Sequence, residues 1–335
     1  MKKACQRIFA CVLITPFLAC FAPIVSGYPT PVDSESSSPA ITSSLPVSLS
    51  GYTQILFSGR KDSADTFSVR RARLSMGASI IKNLHFKLQV DFTRSPALLD
   101  AMAEVNIIRG INFRLGQFLV PFSLENNTSA GQLLTINRSQ VVEKLAPGRD
   151  TGTAGRDIGA VVYGSYSSVH YSIGLVNGTG ANKKDDNDHK DLAVRITFNP
   201  IEGFSFGFSI YNGRRFDTAA AMDLKRNRYG FELTWLRAPF YLQAEYIMAE
   251  DHTAEKSGWY LLGAADLIKK KYQLVLRLDY LNDNHNIPGN SATTFTAGTN
   301  WFLSGKSKAQ ANVEFHRVEN GPDYNAFLLQ LQVGF

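Results

Sequence analysis

From about Ser48 to the C-terminus, apolar and polar residues alternate with a period of two. Tyr272, Leu274, Leu276, Leu278 and Tyr280 fall on one face, and Gln273, Val275, Arg277 and Asp279 on the other. Successive side chains of an extended chain point to opposite sides, so this run predicts a strand with one apolar and one polar face. Phe204, Phe206, Phe208 and Ile210 repeat the pattern, as do residues 169–175 and 192–198 and the final Phe327, Leu329, Leu331, Val333 and Phe335. About sixteen such segments are predicted, near 48–58, 66–79, 83–93, 98–109, 111–120, 157–165, 168–177, 189–199, 203–212, 225–236, 239–250, 257–267, 271–282, 292–303, 307–317 and 324–335. Most are about ten to twelve residues long, the length a tilted strand needs to cross a bilayer.

The links carry a second signal. Short ones at 109–111, 165–168, 199–203, 237–239 and 304–306 alternate with longer ones at 177–190, 212–225, 282–291 and 318–324. An up-and-down barrel with short turns at one end and longer loops at the other has this rhythm, and an even strand number returns both termini to the periplasmic, turn end. After the first 27 residues no run of 18 apolar residues occurs, so no transmembrane helix is expected. A spanning chain without helices must close into a barrel, because every backbone polar group in lipid needs a partner. A soluble exported protein is the other reading that the lack of helices leaves. The rhythm favours an all-β, transmembrane, antiparallel barrel over residues 48–335, in the outer membrane of a Gram-negative bacterium.

The N-terminus fits export. Lys2, Lys3 and Arg7 precede a mostly apolar stretch over 8–25, and Val25-Ser26-Gly27 offers small residues for cleavage, so 1–27 reads as a signal peptide. Lipidation at Cys20 is the alternative. Residues 28–47 are rich in Ser and Pro and read as a flexible lead-in. Cys5, Cys11 and Cys20 all lie in the leader, so no disulfide or thiolate metal site is expected in the mature chain. Losing Lys2, Lys3 and Arg7 lowers the formal net charge from +6 to +3, which gives a nucleic-acid role no support. A composition of 44% hydrophobic and 19% charged residues would suit a soluble protein equally and decides nothing.

No cofactor or metal is expected. Asp185-Asp186-Asn187-Asp188 reads as a solvated loop, and Ser304-Gly305-Lys306-Ser307 lacks the first glycine of a phosphate-binding loop. None of the six histidines lies beside a nucleophile motif, and no Gly-x-Ser-x-Gly or His-Glu-x-x-His is present, so an enzyme is not expected.

The link over 120–156, about 37 residues, is far longer than any other. Links of that length are usually functional, and a sixteen-stranded barrel leaves a wide lumen that such a loop can narrow by folding inward. It carries Arg138, Lys144, Arg149 and Arg156 against Glu143 and Asp150. Basic groups in a narrow pore favour anions, which exchange hydration for their N–H donors. Alternatively these arginines pair with Glu143, Asp150 or Asp157 and fix the loop. On the wall, if Ala72, Leu74 and Met76 face lipid, then Arg71 and Arg73 face the lumen. The same phase, set by the cost of a charge in lipid, turns Lys87, Arg114, Arg195, Arg228 and Arg277 inward. It also turns Asp91, Asp100, Glu104, Glu232, Glu245, Asp279 and Glu314 inward, so a lumen of mixed charge is expected.

Several strings come in a telling order: Gly51-Tyr52-Thr53-Gln54, Val69-Arg70-Arg71-Ala72-Arg73-Leu74, Leu88-Gln89-Val90-Asp91-Phe92 and Leu99-Asp100-Ala101. Leu115-Gly116-Gln117-Phe118-Leu119-Val120-Pro121-Phe122-Ser123-Leu124-Glu125 is the longest. Asn137-Arg138-Ser139, Ala146-Pro147-Gly148-Arg149-Asp150, Arg156-Asp157-Ile158-Gly159, Tyr171-Ser172-Ile173-Gly174 and Val176-Asn177-Gly178 follow it. Over roughly 48–180 the chain resembles the phosphate-selective porin O/P family; beyond, only strand rhythm and C-terminus agree. The resemblance implies a homotrimeric porin whose third loop folds into the lumen as a constriction, with anions passing along arginines and lysines. Phe335, closing an alternating strand, resembles the C-terminal signature of outer-membrane barrels, which implies handling by the barrel assembly machinery. The expected function is a water-filled channel in outer-membrane lipid for passive diffusion of small hydrophilic solutes and ions, anion-preferring, with phosphate-type anions among them. A surface barrel acting as an adhesin or structural protein is the alternative; external links mostly under about 15 residues argue against it.

Overall fold

The computed structural model describes residues 46–335 except Asp62 and Lys270. The expected signal peptide at 1–27, with Cys20, and nearly all of the 28–47 segment lie outside the described residues. Sixteen strands form one closed antiparallel barrel. They are β1 (Val47–Arg60), β2 (Thr66–Ile81), β3 (Leu84–Asp91), β4 (Leu98–Ile108), β5 (Ile111–Leu119), β6 (Arg156–Tyr166), β7 (Val169–Val176) and β8 (Asp191–Ile201). The second half comprises β9 (Phe204–Asp217), β10 (Met222–Arg237), β11 (Phe240–Asp251), β12 (Ala254–Ile268), β13 (Tyr272–Asn282), β14 (Ser291–Phe302), β15 (Lys308–Val318) and β16 (Tyr324–Gly334). Each strand pairs with its sequence neighbours, and β1 closes on β16 from Tyr52↔Gly334 to Arg60↔Ala326. Closure leaves no unpaired edge, which a lipid environment requires.

The pleat sorts the side chains inside out. On β13 the outward Leu274, Leu276 and Leu278 are 46%, 54% and 39% exposed, while the inward Val275, Arg277 and Asp279 are at most 2% exposed. A soluble sheet would bury its leucines and expose its charges; here lipid takes the place of the core.

Two links depart from the expected short-long rhythm. The chain from 212 to 225 is not a long loop: β9 and β10 continue through Asp217 and Met222 and meet over residues 218–221. The stretch carries Arg214, Arg215 and Lys225. The ladder pairs backbone groups, however, and polar side chains do not prevent pairing. Likewise β11 and β12 meet over residues 252–253, as tightly as the turns at the other end.

One strand departs from alternation. Gln54↔Arg71 is followed by Ile55↔Val69, so Arg70 is the extra residue of a β-bulge in β2. A bulge places two residues opposite one and re-aims a side chain. Arg70 and Arg71 therefore both turn inward, whereas strict alternation would send Arg70 into lipid.

Candidate functional site

The link from β5 to β6, residues 120–155, enters the lumen. It contains α1 (Leu124–Asn127) and α2 (Gln140–Leu145). Its apolar residues Val120, Phe122, Val141, Val142 and Leu145 are buried and pack with the inward-facing Ile247 of β11, Tyr260 and Leu262 of β12 and Val275 of β13. The protein's apolar core thus lies inside the barrel, between loop and wall. Two wall glycines make room for it. A Cβ on Gly230 would meet Phe122 at 3.1 Å, and one on Gly258 would meet Val141 at 2.8 Å.

Polar contacts fix the loop around most of the wall. The Glu245 carboxylate accepts the backbone N–H groups of Leu124 and Glu125 at 2.9 and 2.8 Å, capping α1, and is itself held by Tyr260 at 2.9 Å. Arg277 lies 3.0 Å from Asp279 and donates to Thr135 Oγ1 at 2.7 Å and to the Asn137 carbonyl at 2.8 Å. Asn312 accepts from the Ile136 N–H at 2.7 Å, and Lys308 donates to the Leu133 carbonyl at 2.6 Å. Asp150 takes ion pairs from Arg226 at 2.6 Å and Arg228 at 2.9 Å. These anchors run from β10 to β15. The open space that remains lies against β2–β4.

That space is a gap of about 420 Å³. It shares Arg73, Lys87, Gln89, Ser129 and Gln132 with a second space of about 540 Å³ toward the turn end, which is lined further by Tyr52, Lys306, Lys308 and Gln332. Eight cations border the gap: Arg70, Arg71, Arg73, Lys87, Arg94, Arg138, Arg149 and Arg156. Three acids border it: Asp91, Asp100 and Glu143. Asp91 pairs with Arg73 at 2.9 Å; Asp100 pairs with Arg156 at 2.7 Å and Lys87 at 2.9 Å. Arg70, Arg71 and Arg94 make no ion pair among the described residues. Arg70 Nη2 donates to Asn137 Oδ1 at 2.7 Å while its Nη1, buried, has no partner. Arg71 donates to Gln54 Oε1 at 2.7 Å, and Arg94 to the Gly152 carbonyl at 2.9 Å. On the loop, burial foremost and then the neighbouring Arg138 guanidinium push Arg149 down to about 9, which leaves it charged through the neutral range.

The sequence-derived candidates divide accordingly. Arg71, Arg73, Lys87, Arg138, Arg149 and Arg156 are brought together around the gap. Lys144 points instead into a separate space over β9–β12 with Arg215, Lys256 and His252. Arg114 pairs with Glu104 at 2.6 Å and Arg195 with Glu232 at 2.5 Å, both away from the gap. Arg228 and Arg277, each 2% exposed, hold the loop. Arg70 and Arg94 are the two cations of the gap that sequence reasoning missed. Nothing in the alternation reveals the bulge that admits Arg70. The apolar Ile247, Tyr260, Leu262 and Val275 on an otherwise polar inner face were a legible sign of where the loop would dock.

A family model described as phosphate-selective porin O and P matches residues 50–207 and 207–335. Among solved structures, an anion-selective porin from Comamonas acidovorans aligns at 12% identity over 87% of this chain and 100% of that one, with a TM-score of 0.69. The outer membrane channel DcaP of Acinetobacter baumannii aligns at 11% identity over 86% and 97%, with a TM-score of 0.66. The trimer form of OmpT from Vibrio cholerae aligns at 10% identity over 87% and 99%, with a TM-score of 0.60. A search of curated proteins by sequence finds no match.

Proposed function

The chain belongs to the phosphate-selective porin O and P family, outer-membrane channels for small solutes, and from that premise we propose that its lumenal gap passes anions in preference to cations. The observation that carries this is the charge around the gap: eight cations against three acids, with the acids Asp91 and Asp100 already neutralised by the wall. Cations come from both sides, Arg70, Arg71, Arg73 and Lys87 from the wall and Arg138 and Arg149 from the loop. A permeating anion sheds part of its hydration there and receives guanidinium donors in exchange, whereas a cation meets net repulsion. Phosphate-type anions, with three or four acceptor oxygens, suit converging planar forks better than chloride does. In this reading residues 120–155 are the constriction, 1–27 the cleaved signal peptide, and the loop end of the barrel faces outward from the cell.

The same reading makes the functional unit a homotrimer. Tyrosine and tryptophan rings share the outward face with lipid-exposed leucines on β6, β7 and β10–β14, among them Tyr246, Trp259 and Trp301, which are 38%, 36% and 45% exposed. Among the described residues β15, β16 and β1–β5 turn no such ring outward. Instead β2 and β4 present Ala72, Ala101 and Ala103 there. Interfacial Tyr and Trp anchor a barrel to lipid, so a face without them suits contact with another copy.

The experiment is a reversal potential for refolded protein in a planar bilayer under a KCl gradient, followed by addition of phosphate. A potential set by chloride, with chloride current blocked by phosphate, is the expected result. A potassium-set potential sinks the anion reading and leaves a porin of the opposite preference.

A further inference from the structure

The three carboxylates at the gap are held in two different ways. Asp91 and Asp100 lie beneath the wall, with side chains 1% and 3% exposed, while Arg73 and Lys87 above them are 9% and 39% exposed. Glu143 is the reverse. Its side chain, on α2, is 46% exposed, and the arginines behind it, Arg138 and Arg149, are 4% and 7% exposed. Glu143 Oε1 lies 3.0 Å from Arg149 Nη1 and 3.9 Å from Arg138 Nε, and its side chain makes no other hydrogen bond or ion pair among the described residues.

Neither arginine depends on Glu143 to stay in place. Arg149 Nε donates to Asn126 Oδ1 at 2.6 Å. Arg138 donates to the carbonyl of Glu125 and to that of Thr128, the latter at 2.7 Å. The cations are therefore fixed into the loop backbone, and the acid is the member free to move. A carboxylate that served only to pin the loop would be buried among its partners, as Glu125, 4% exposed, is with Ser139 and Arg277.

We propose that Glu143 is the resident counter-anion of the gap: it occupies the Arg138–Arg149 pair until a permeating anion displaces it, and so sets how strongly the channel selects and retains anions. The inference rests on the reading of the gap as the anion path. Its chemistry is competition between like ligands. A carboxylate and a phosphate offer a guanidinium the same pair of acceptor oxygens. Tethered on α2, Glu143 competes at a high effective concentration that any solute must overcome. Displacement requires only rotation about the side-chain bonds of one surface residue, since no other hydrogen bond or ion pair restrains its carboxylate.

The test compares Glu143→Gln and Glu143→Asp with wild type in planar bilayers, with heat-modifiable gel migration as the folding check. For Glu143→Gln the chloride-over-potassium permeability ratio should rise, and the half-blocking phosphate concentration should fall by about three- to tenfold, the effect of deleting one charge a few ångströms from a partly wet site. Glu143→Asp, which keeps the charge, should stay within about twofold of wild type. Equal shifts in both variants would mean a structural disturbance and overturn the proposal. So would a Gln variant with unchanged selectivity and block, whatever its conductance. The two readings fail separately: a potassium-selective wild type defeats the anion reading, whereas a chloride-selective wild type whose Gln variant is unchanged defeats the role of Glu143 alone.

Discussion

Arg70 and Arg73 stand three residues apart on one strand, yet alanine at each should have different consequences. Arg70 and Arg71 have no carboxylate partner, so Arg70→Ala or Arg71→Ala should move the reversal potential toward potassium while the midpoint of urea unfolding, followed by tryptophan fluorescence, stays near wild type. Arg73 covers the buried Asp91 at 2.9 Å, and removing it strands that charge. Arg73→Ala should therefore lose selectivity and also about 3–5 kcal/mol of stability, the usual cost of breaking a buried pair from one side. Arg277→Ala belongs with the second kind, because its guanidinium holds Thr135 and Asn137 of the loop. Its expected signature is a destabilised barrel with a larger, noisier conductance. At this scale the inward charges of the wall were readable from alternation and the cost of charge in lipid. Which arginines stay free was not readable, because pairing depends on carboxylates that arrive from other strands.

The lumenal loop behaves as an element docked on a surface, and its docking is apolar. Leu145, fully buried between α2 and the wall, should cost about 2–5 kcal/mol of docking energy when cut to alanine. Single-channel records of Leu145→Ala should show a wider pore with flickering between levels. Unchanged conductance would mean that the polar anchors alone hold the loop. Gly258→Val approaches the same contact from the wall, since even a Cβ there would meet Val141 at 2.8 Å, and it should displace α2 with the same electrical outcome. The length of residues 120–156 announced a functional loop, and family resemblance turned it inward. Its path followed from features the chain states only indirectly: apolar Ile247, Tyr260, Leu262 and Val275 on a face otherwise polar, and Glu245 placed to cap α1. The β9–β10 hairpin erred the other way. Its charged tip read as loop although backbone pairing extends to Asp217 and Met222.

At the scale of the molecule, lipid acts on the outer face, and in the proposed trimer neighbouring copies do so too. Leu276→Arg places a charge on that face of β13 and should cost about 2–4 kcal/mol near the bilayer midplane, seen as failure to refold into vesicles at urea concentrations the wild type tolerates. All three cysteines lie within residues 1–27, the proposed signal peptide, so Ala103→Cys on the β2–β5 face and Leu276→Cys on the aromatic-flanked face can be compared directly in a chain that begins after it. Oxidative cross-linking should yield dimers through position 103 and not through 276; the opposite result would move the interface. The sequence by itself determined the barrel, its strand number and, the β2 bulge apart, which residues of each strand face lipid. A period of two is a local property of the backbone, and lipid penalises every error of phase. Only the tertiary structure decided what the lumen is. Counted along the chain, the inward charges are mixed. Folded, the acids Glu104, Glu232 and Asp279 are matched on the wall to Arg114, Arg195 and Arg277, and Glu245 to the backbone of the loop. Arg70, Arg71, Arg73 and Lys87 of the wall, by contrast, converge with Arg138 and Arg149 of the loop on one gap. That sorting depends on a bulge, a docked loop and long-range ion pairs, none of which is a property of any single segment.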